Sequence, residues 1–178
     1  MKITIETLIR NIKDYKIGTK IELSGIIYTA RDQAHKRLVS LIDNSKQLPI
    51  NLQNACIYYC GPCPRSSDKV IGSCGPTTSS RMDIYTPKML SNGVKLLVGK
   101  GNRSKAVVEA IKQNKAIYLL ATGGVGALIS QKVKKAKLIA FEDLGPEAIY
   151  ELVVEDFPLT VGIDCFGNNL FDEREKCF

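Results

Sequence analysis

Four hydroxyl side chains in a row, Thr77, Thr78, Ser79 and Ser80, follow the turn Gly75-Pro76 and precede Arg81. Thr, Ser and Gly favour turns and N-caps, so the run is expected to be a loop entering a helix. Backbone N–H groups and hydroxyls would then converge, and the positive end of the helix would favour an anion. Arg81, one turn in, would add a forked, permanently charged donor suited to a carboxylate or phosphate. An ordinary capping loop has the same composition, so this segment does not decide the matter alone. Two others join it. Arg31-Asp32-Gln33-Ala34-His35-Lys36-Arg37 follows an apolar, β-branched run and opens a helix with Asp32 at its N-cap. Gly99-Lys100-Gly101-Asn102-Arg103-Ser104 follows the apolar residues 94–98 and opens another. Open α/β sheets bind ligands at the carboxyl ends of their strands. Three passages from strand to cationic turn to helix therefore point to a small anion.

Other chemistries are tempting and fit less well. Cys60-Gly61-Pro62-Cys63 matches the thioredoxin tetrapeptide, whose first thiol is activated by a helix N-terminus. Here Pro64 follows at once, and Gly72 and Gly75-Pro76 come soon after, so no long helix can start at Cys63. Cys56, Cys60 and Cys63 have the spacing of the radical S-adenosylmethionine motif, but Pro62 stands where that family has an aromatic. Cys74 could complete a four-thiolate set, yet its distance along the chain from Cys63 matches no common zinc pattern. With Cys165 and Cys177 the cysteines total six, and in a cytoplasmic chain they read mostly as small buried side chains. Gly99-Lys100 is followed by Gly101 rather than Ser or Thr, which breaks the P-loop pattern. A dinucleotide site wants an acid about twenty residues beyond Gly99-x-Gly101, and none follows Glu109 until Glu142. His35 is the single histidine, so any Ser-His-Asp or Cys-His scheme would depend on it alone.

The elements that must position these residues read as one α/β domain with a mixed sheet. Residues 19–30 alternate as a half-buried strand, and 32–42 form a helix. Strands are expected at 55–59, 94–98 and 117–121, the last ended by Gly123-Gly124, with a helix at 104–114 between the latter two. Strands at 138–141, 152–154 and 159–163 follow, with a short helical turn at 146–149. Residues 3–11 are expected to lie on the surface, and 172–178 to be a frayed tail. Hydrophobic residues make up 44% and charged residues 24%, which are globular values. No window approaches a membrane span, and the opening residues lack a signal peptide's apolar core, so a cytoplasmic location is expected. Formal charge is +7, and residues 110–141 hold six lysines and no acid. With no Trp, 7% aromatics and no helix-turn-helix or zinc-finger spacing, an anionic metabolite is favoured over nucleic acid.

Arg-Asp-x-Ala-His-Lys at 31–36, Tyr-Tyr-x-Gly-Pro at 58–62, Gly-Pro-Thr-Thr-Ser-x-Arg-Met-Asp at 75–83 and Lys-Gly-Asn-Arg-Ser at 100–104 occur in that order. The series resembles the β subunit, or C-terminal domain, of the iron–sulfur-dependent fumarate hydratases and L-tartrate dehydratases. The likeness spans nearly the whole chain and implies one catalytic domain over residues 1–178, of the swivelling β/β/α kind. It implies a separate α subunit, in an α2β2 assembly, carrying the [4Fe-4S] cluster on its own three cysteines with one iron open to substrate. This chain would then hold no metal. The family's substrate-binding arginines fall on Arg31 and Arg81, its lysine on Lys100, and its proton-abstracting threonine on Thr77, with Thr78 beside it. His35, Gly75 and Asn102 are supporting positions within the same motifs. The reaction implied is reversible hydration of fumarate to L-malate, with tartrate dehydration to oxaloacetate the near alternative; the acid for hydroxide departure belongs to the α subunit. Cys60, Cys63 and Cys74 depart from the small residues common at those positions in the family, which leaves a secondary redox or metal role open.

Overall fold

A computed structural model of the chain describes residues 1–64, 70–122 and 126–175. The chain opens with β1 (Lys2–Thr4) and α1 (Ile5–Arg10), followed by β2 (Lys20–Thr29), α2 (Asp32–Asp43) and β3 (Cys56–Tyr58). Then come α3 (Thr86–Ser91), β4 (Leu96–Gly99), α4 (Lys105–Asn114) and β5 (Ile117–Leu120). The last elements are α5 (Gly126–Ser130), β6 (Val133–Ala140), β7 (Ile149–Ile163) and α6 (Leu170–Glu175). Short β3, β4 and β5 are apolar throughout because both their faces are covered, as parallel strands require.

The strands form one mixed sheet in the order β1-β2-β3-β4-β5-β7-β6. β1 to β5 run parallel, and the crossovers from β2 to β5 carry α2, α3 and α4. β7 runs antiparallel to β5 on one side and to β2 on the other, so β2, β3, β4, β5 and β7 close into a ring. β1 and β6 are left outside it, at the sheet's margins. Alternation along each strand then divides the interior in two. Cys56, Tyr58, Leu96, Val98, Ile117 and Leu119 join the cluster within the ring. Ile57, Leu97 and Tyr118 face the other way, against Leu38 of α2, Met89 of α3 and Ile111 of α4.

Several elements differ from expectation. Residues 3–11 are integral: β1 pairs with β2, and Ile3, Ile5 and Leu8 are buried. The strands expected at 152–154 and 159–163 are one fifteen-residue strand. A pairing shift opposite Leu23/Gly25, with Asp156 at φ 51°, lets it bend without ending. β6 begins earlier than expected, at Val133, and the turn near Pro146 is a 3₁₀ segment at Glu142–Glu147. Residues 172–175 extend α6 instead of fraying, whereas 176–178 and Gly123-Gly124 lie outside the described residues. Arg31, not Asp32, occupies the N-cap position of α2; Asp32 is already inside the first turn.

Candidate functional site

Parallel neighbours β2, β3 and β4 end side by side, so the residues that follow them, Arg31, Gly61 and Lys100, emerge at one edge. The hydroxyl run crosses that edge. Thr77 donates its N–H to the Tyr59 carbonyl at 2.8 Å, and Thr78 pairs alongside Lys100 in a parallel bridge. Ser79 donates its N–H to the Lys100 carbonyl at 3.0 Å, and its Oγ accepts the Lys100 N–H at 3.0 Å. The backbone carrying Lys100 is thus clamped to Ser79 on both sides. The buried Tyr118 hydroxyl lies 2.8 Å from Ser79 Oγ and 2.9 Å from the Gly101 carbonyl, bracing the same turn. Gly99 is required here: a Cβ would fall 2.0 Å from Ser79 Oγ.

The expected anion-binding helix N-terminus does not form. Ser79–Met82 is a four-residue 3₁₀ turn whose N-cap, Thr78, makes no side-chain capping bond, and Arg81 lies within it. The Ser79 hydroxyl that could have served the turn is consumed by Lys100 and Tyr118. At this segment the positive charge is that of the Arg81 side chain and not of a helix end.

Arg31 and Arg81 meet at Asp32. Arg81 Nε donates to Asp32 Oδ1 at 3.0 Å, and Arg31 Nε lies 3.9 Å from Asp32 Oδ2. Glu147 adds a second carboxylate: Oε1 is 3.5 Å from Arg31 Nη2, and Oε2 accepts the Gln33 N–H at 2.9 Å. That bond caps the first turn of α2, which Arg31 cannot cap with its own side chain. Arg31 passes so close to Gly61 that a Cβ there would sit 2.9 Å from its Cδ. His35 is fully buried, with its ring edge-on to Tyr59 and stacked on Tyr85. Burial lowers its pKa to about 4, so the imidazole is neutral at ordinary pH. Its Nδ1–H donates to the Arg31 carbonyl at 2.8 Å, so it orients Arg31 and has no charge to offer a ligand.

Arg103, which sequence reasoning gave no role, is the buried brace of the site. Its side chain is 0% exposed; Nε donates to Asp83 Oδ1 and Nη2 to Thr86 Oγ1, both at 2.7 Å. Its guanidinium carbon lies 5.1 Å from the Tyr59 ring centre and 5.0 Å from that of Tyr118. Asp83 also accepts the Ser104 N–H through Oδ2 at 2.6 Å, tying the hydroxyl segment to α4. Asn102 is exposed, but its Oδ1 accepts from the Arg103 N–H and from Asn169 Nδ2, which fixes the turn. Gly75 packs against Gly126 of α5, with no other heavy atom of the described residues within 4 Å of its would-be Cβ.

The edge is open: Thr78 and Asn102 are exposed, Thr77 and Lys100 partly so, and the Arg81 side chain is 54% exposed. A separate apolar pocket of about 390 Å³, lined by Pro62, Cys63, Ile71, Ala136, Pro146 and Tyr150 among others, has no charged residue in its described lining. Cys60 and Cys74 are buried, and burial pushes Cys74 up to about 12 and Cys60 well above the usual thiol range. Among the described residues no helix starts at Cys63 or Pro64, and Cys60, the first thiol of the tetrapeptide, is held protonated by burial. Among the described residues no three His, Cys, Asp or Glu side chains converge as a metal site. No described helix is long and apolar enough to cross a membrane.

The family model described as Fumarase C-terminus matches residues 1–174. The chain is similar to fumarate hydratase 2 of Leishmania major, 35% identical over 97% of this chain and 31% of that protein. It is 36% identical to the anaerobic class I fumarate hydratase of Escherichia coli, over 95% of this chain and 31% of that protein. Against the L(+)-tartrate dehydratase subunit beta of Escherichia coli the identity is 35%, over 94% of this chain and 85% of that subunit. The chain thus spans less than a third of the fumarate hydratases it matches and most of the tartrate dehydratase subunit.

Proposed function

Because the chain belongs to the Fumarase C-terminus family, we propose that it is the β subunit of a hydro-lyase that interconverts fumarate and L-malate by adding and removing water. The observation that carries this reading is the meeting of Arg31, Lys100 and the Thr77–Thr78–Arg81 segment at one open edge. A four-carbon diacid presents two carboxylates, and two guanidiniums and an ammonium are suited to hold both.

In the dehydration direction a proton leaves the carbon next to a carboxylate while hydroxide leaves the adjacent carbon. Thr77 Oγ1 takes that proton. A threonine hydroxyl is not ionised near neutral pH, so Thr77 depends on the cations around it to hold its deprotonated form. Charge that grows on the substrate carboxylate as the C–H bond breaks is met by side chains already fixed in place, where electrostatic stabilisation is most effective. His35 and Asp32 orient the arginines and do not exchange protons with substrate.

The described residues do not suit an iron–sulfur cluster, for they gather no set of thiolates. We assign the cluster, and the group that protonates the departing hydroxide, to a partner α subunit in an α2β2 assembly. The bound cluster supplies a Lewis acid. The open edge of this chain is then half of a pocket. The name of the tartrate dehydratase relative, a subunit beta, supports a partnered enzyme.

Tartrate dehydration is the second reading, favoured by the near full-length match to that subunit. Assaying the purified, cluster-loaded pair on fumarate, L-malate and L-tartrate separates the two. Turnover of none of them would end the proposal, as would robust turnover by this chain without its partner.

A further inference from the structure

Asp32 faces the Nε of both candidate substrate arginines. Oδ1 accepts from Arg81 Nε at 3.0 Å, and Oδ2 faces Arg31 Nε at 3.9 Å. Arg81, anchored at Nε, keeps its two terminal nitrogens for side-on contact with a ligand carboxylate, while Arg31 is steadied at Nη2 by Glu147 Oε1 at 3.5 Å. The anchor itself is rigid, because Asp32 lies in the first turn of α2 and its side chain is only 21% exposed. Among the described residues Arg31 Nε and Asp32 Oδ2 are both buried without a hydrogen-bond partner, facing each other across a gap too long for one. Buried polar atoms are normally paired; here Asp32 Oδ1 is closed onto Arg81, while Oδ2 is left facing Arg31 between the two guanidiniums.

We infer that Asp32 is a positioning residue that fixes the separation of the two guanidiniums, and so selects the length of the diacid they accept. The inference rests on the function proposed above. It differs from a plain structural role in one respect: loss of Asp32 should change which diacid is preferred, beyond changing how tightly all of them bind.

The test uses the assembled enzyme and three non-reacting diacids of increasing length, malonate, succinate and glutarate, as competitive inhibitors. In the parent enzyme succinate should inhibit best. Asp32→Asn keeps the size and the acceptor oxygen for Arg81 but removes the negative charge facing Arg31, and the preference for succinate should fall about threefold or more. Asp32→Ala releases Arg81 and removes the carboxylate facing Arg31, which Glu147 still holds, and the preference should fall at least tenfold. Should the alanine variant fail to fold, the near-isosteric asparagine variant alone decides. Inhibition constants that rise by one common factor for all three diacids, or do not change, would overturn the inference. Arg31→Ala and Arg81→Ala identify failure of the underlying reading. Each should weaken all three inhibitors at least tenfold, and if neither does, the arginines do not hold substrate and both proposals fall together.

Discussion

Arg103→Met offers the sharpest check on how the edge is held together. The substitution keeps length and apolar bulk but removes a guanidinium whose side chain is 0% exposed. Asp83 loses its ion pair at 2.7 Å yet keeps the Ser104 N–H, while Thr86 keeps its bond to the Met82 carbonyl. Removing one partner of a buried pair costs about 3–5 kcal/mol. Asp83 is 15% exposed and stays hydrogen-bonded, which places the expected loss near the lower end, about 3 kcal/mol. For a domain of this size that lowers the melting midpoint by roughly 6–12 °C. Denaturant and thermal unfolding of the purified chain measure it, and Arg103→Lys, which keeps charge but cannot serve Asp83 and Thr86 together, should fall between. A midpoint within a degree of the parent, combined with a large rise in KM in the assembled enzyme, would refute the reasoning. It would mean that this arginine reaches ligand and does not brace the fold.

Three other outcomes are expected. Arg81→Lys keeps the charge but loses the fork, and should weaken dicarboxylate binding by about 1–3 kcal/mol, read as a raised KM; unchanged kinetics would remove Arg81 from the site. His35 binds a proton near pH 6.5 when unfolded and only near 4 when buried. The unfolded chain therefore takes up more protons between those values, and stability should decline as pH falls from 6.5 to 4, by roughly 3 kcal/mol in all; His35→Phe should flatten that slope in acid denaturation series. Cys60→Ser should leave full activity in the assembled enzyme, because its thiol is buried and held protonated, and loss of turnover with an intact fold would restore a redox role for it.

The strand–turn–helix order was legible because short apolar runs such as 96–99 and 117–120 leave few alternatives to buried parallel strands. That order alone places Arg31 and Lys100 at one edge. The role of Asp32 was not legible: as a first-turn acid it reads as a cap, and its partner Arg81 is 49 residues away. Arg103 was hidden for the same reason, since Tyr59, the Asp83–Thr86 segment and Tyr118 come from three separate stretches of chain. The hydroxyl run misled because local capping preference competes with tertiary bonding, and at Ser79 the bonds to Lys100 and Tyr118 prevail. β7 was split in two because Asp156 and Pro158 resemble strand breakers; Pro158 sits opposite Glu22 in the pairing without ending the strand.

The acid-free lysine stretch acquires a different meaning once β6 is seen at the outer margin. Lys134, Lys135 and Lys137 are exposed on a strand whose only partner among the described residues is β7. Its free side would otherwise be a template on which a second molecule could add a strand, and mutual repulsion of lysines discourages that self-association. At the opposite margin β1 has only three residues, too short a rail for another chain to grip. These three lysines thus suit the guarding of an exposed strand edge against other copies of the chain.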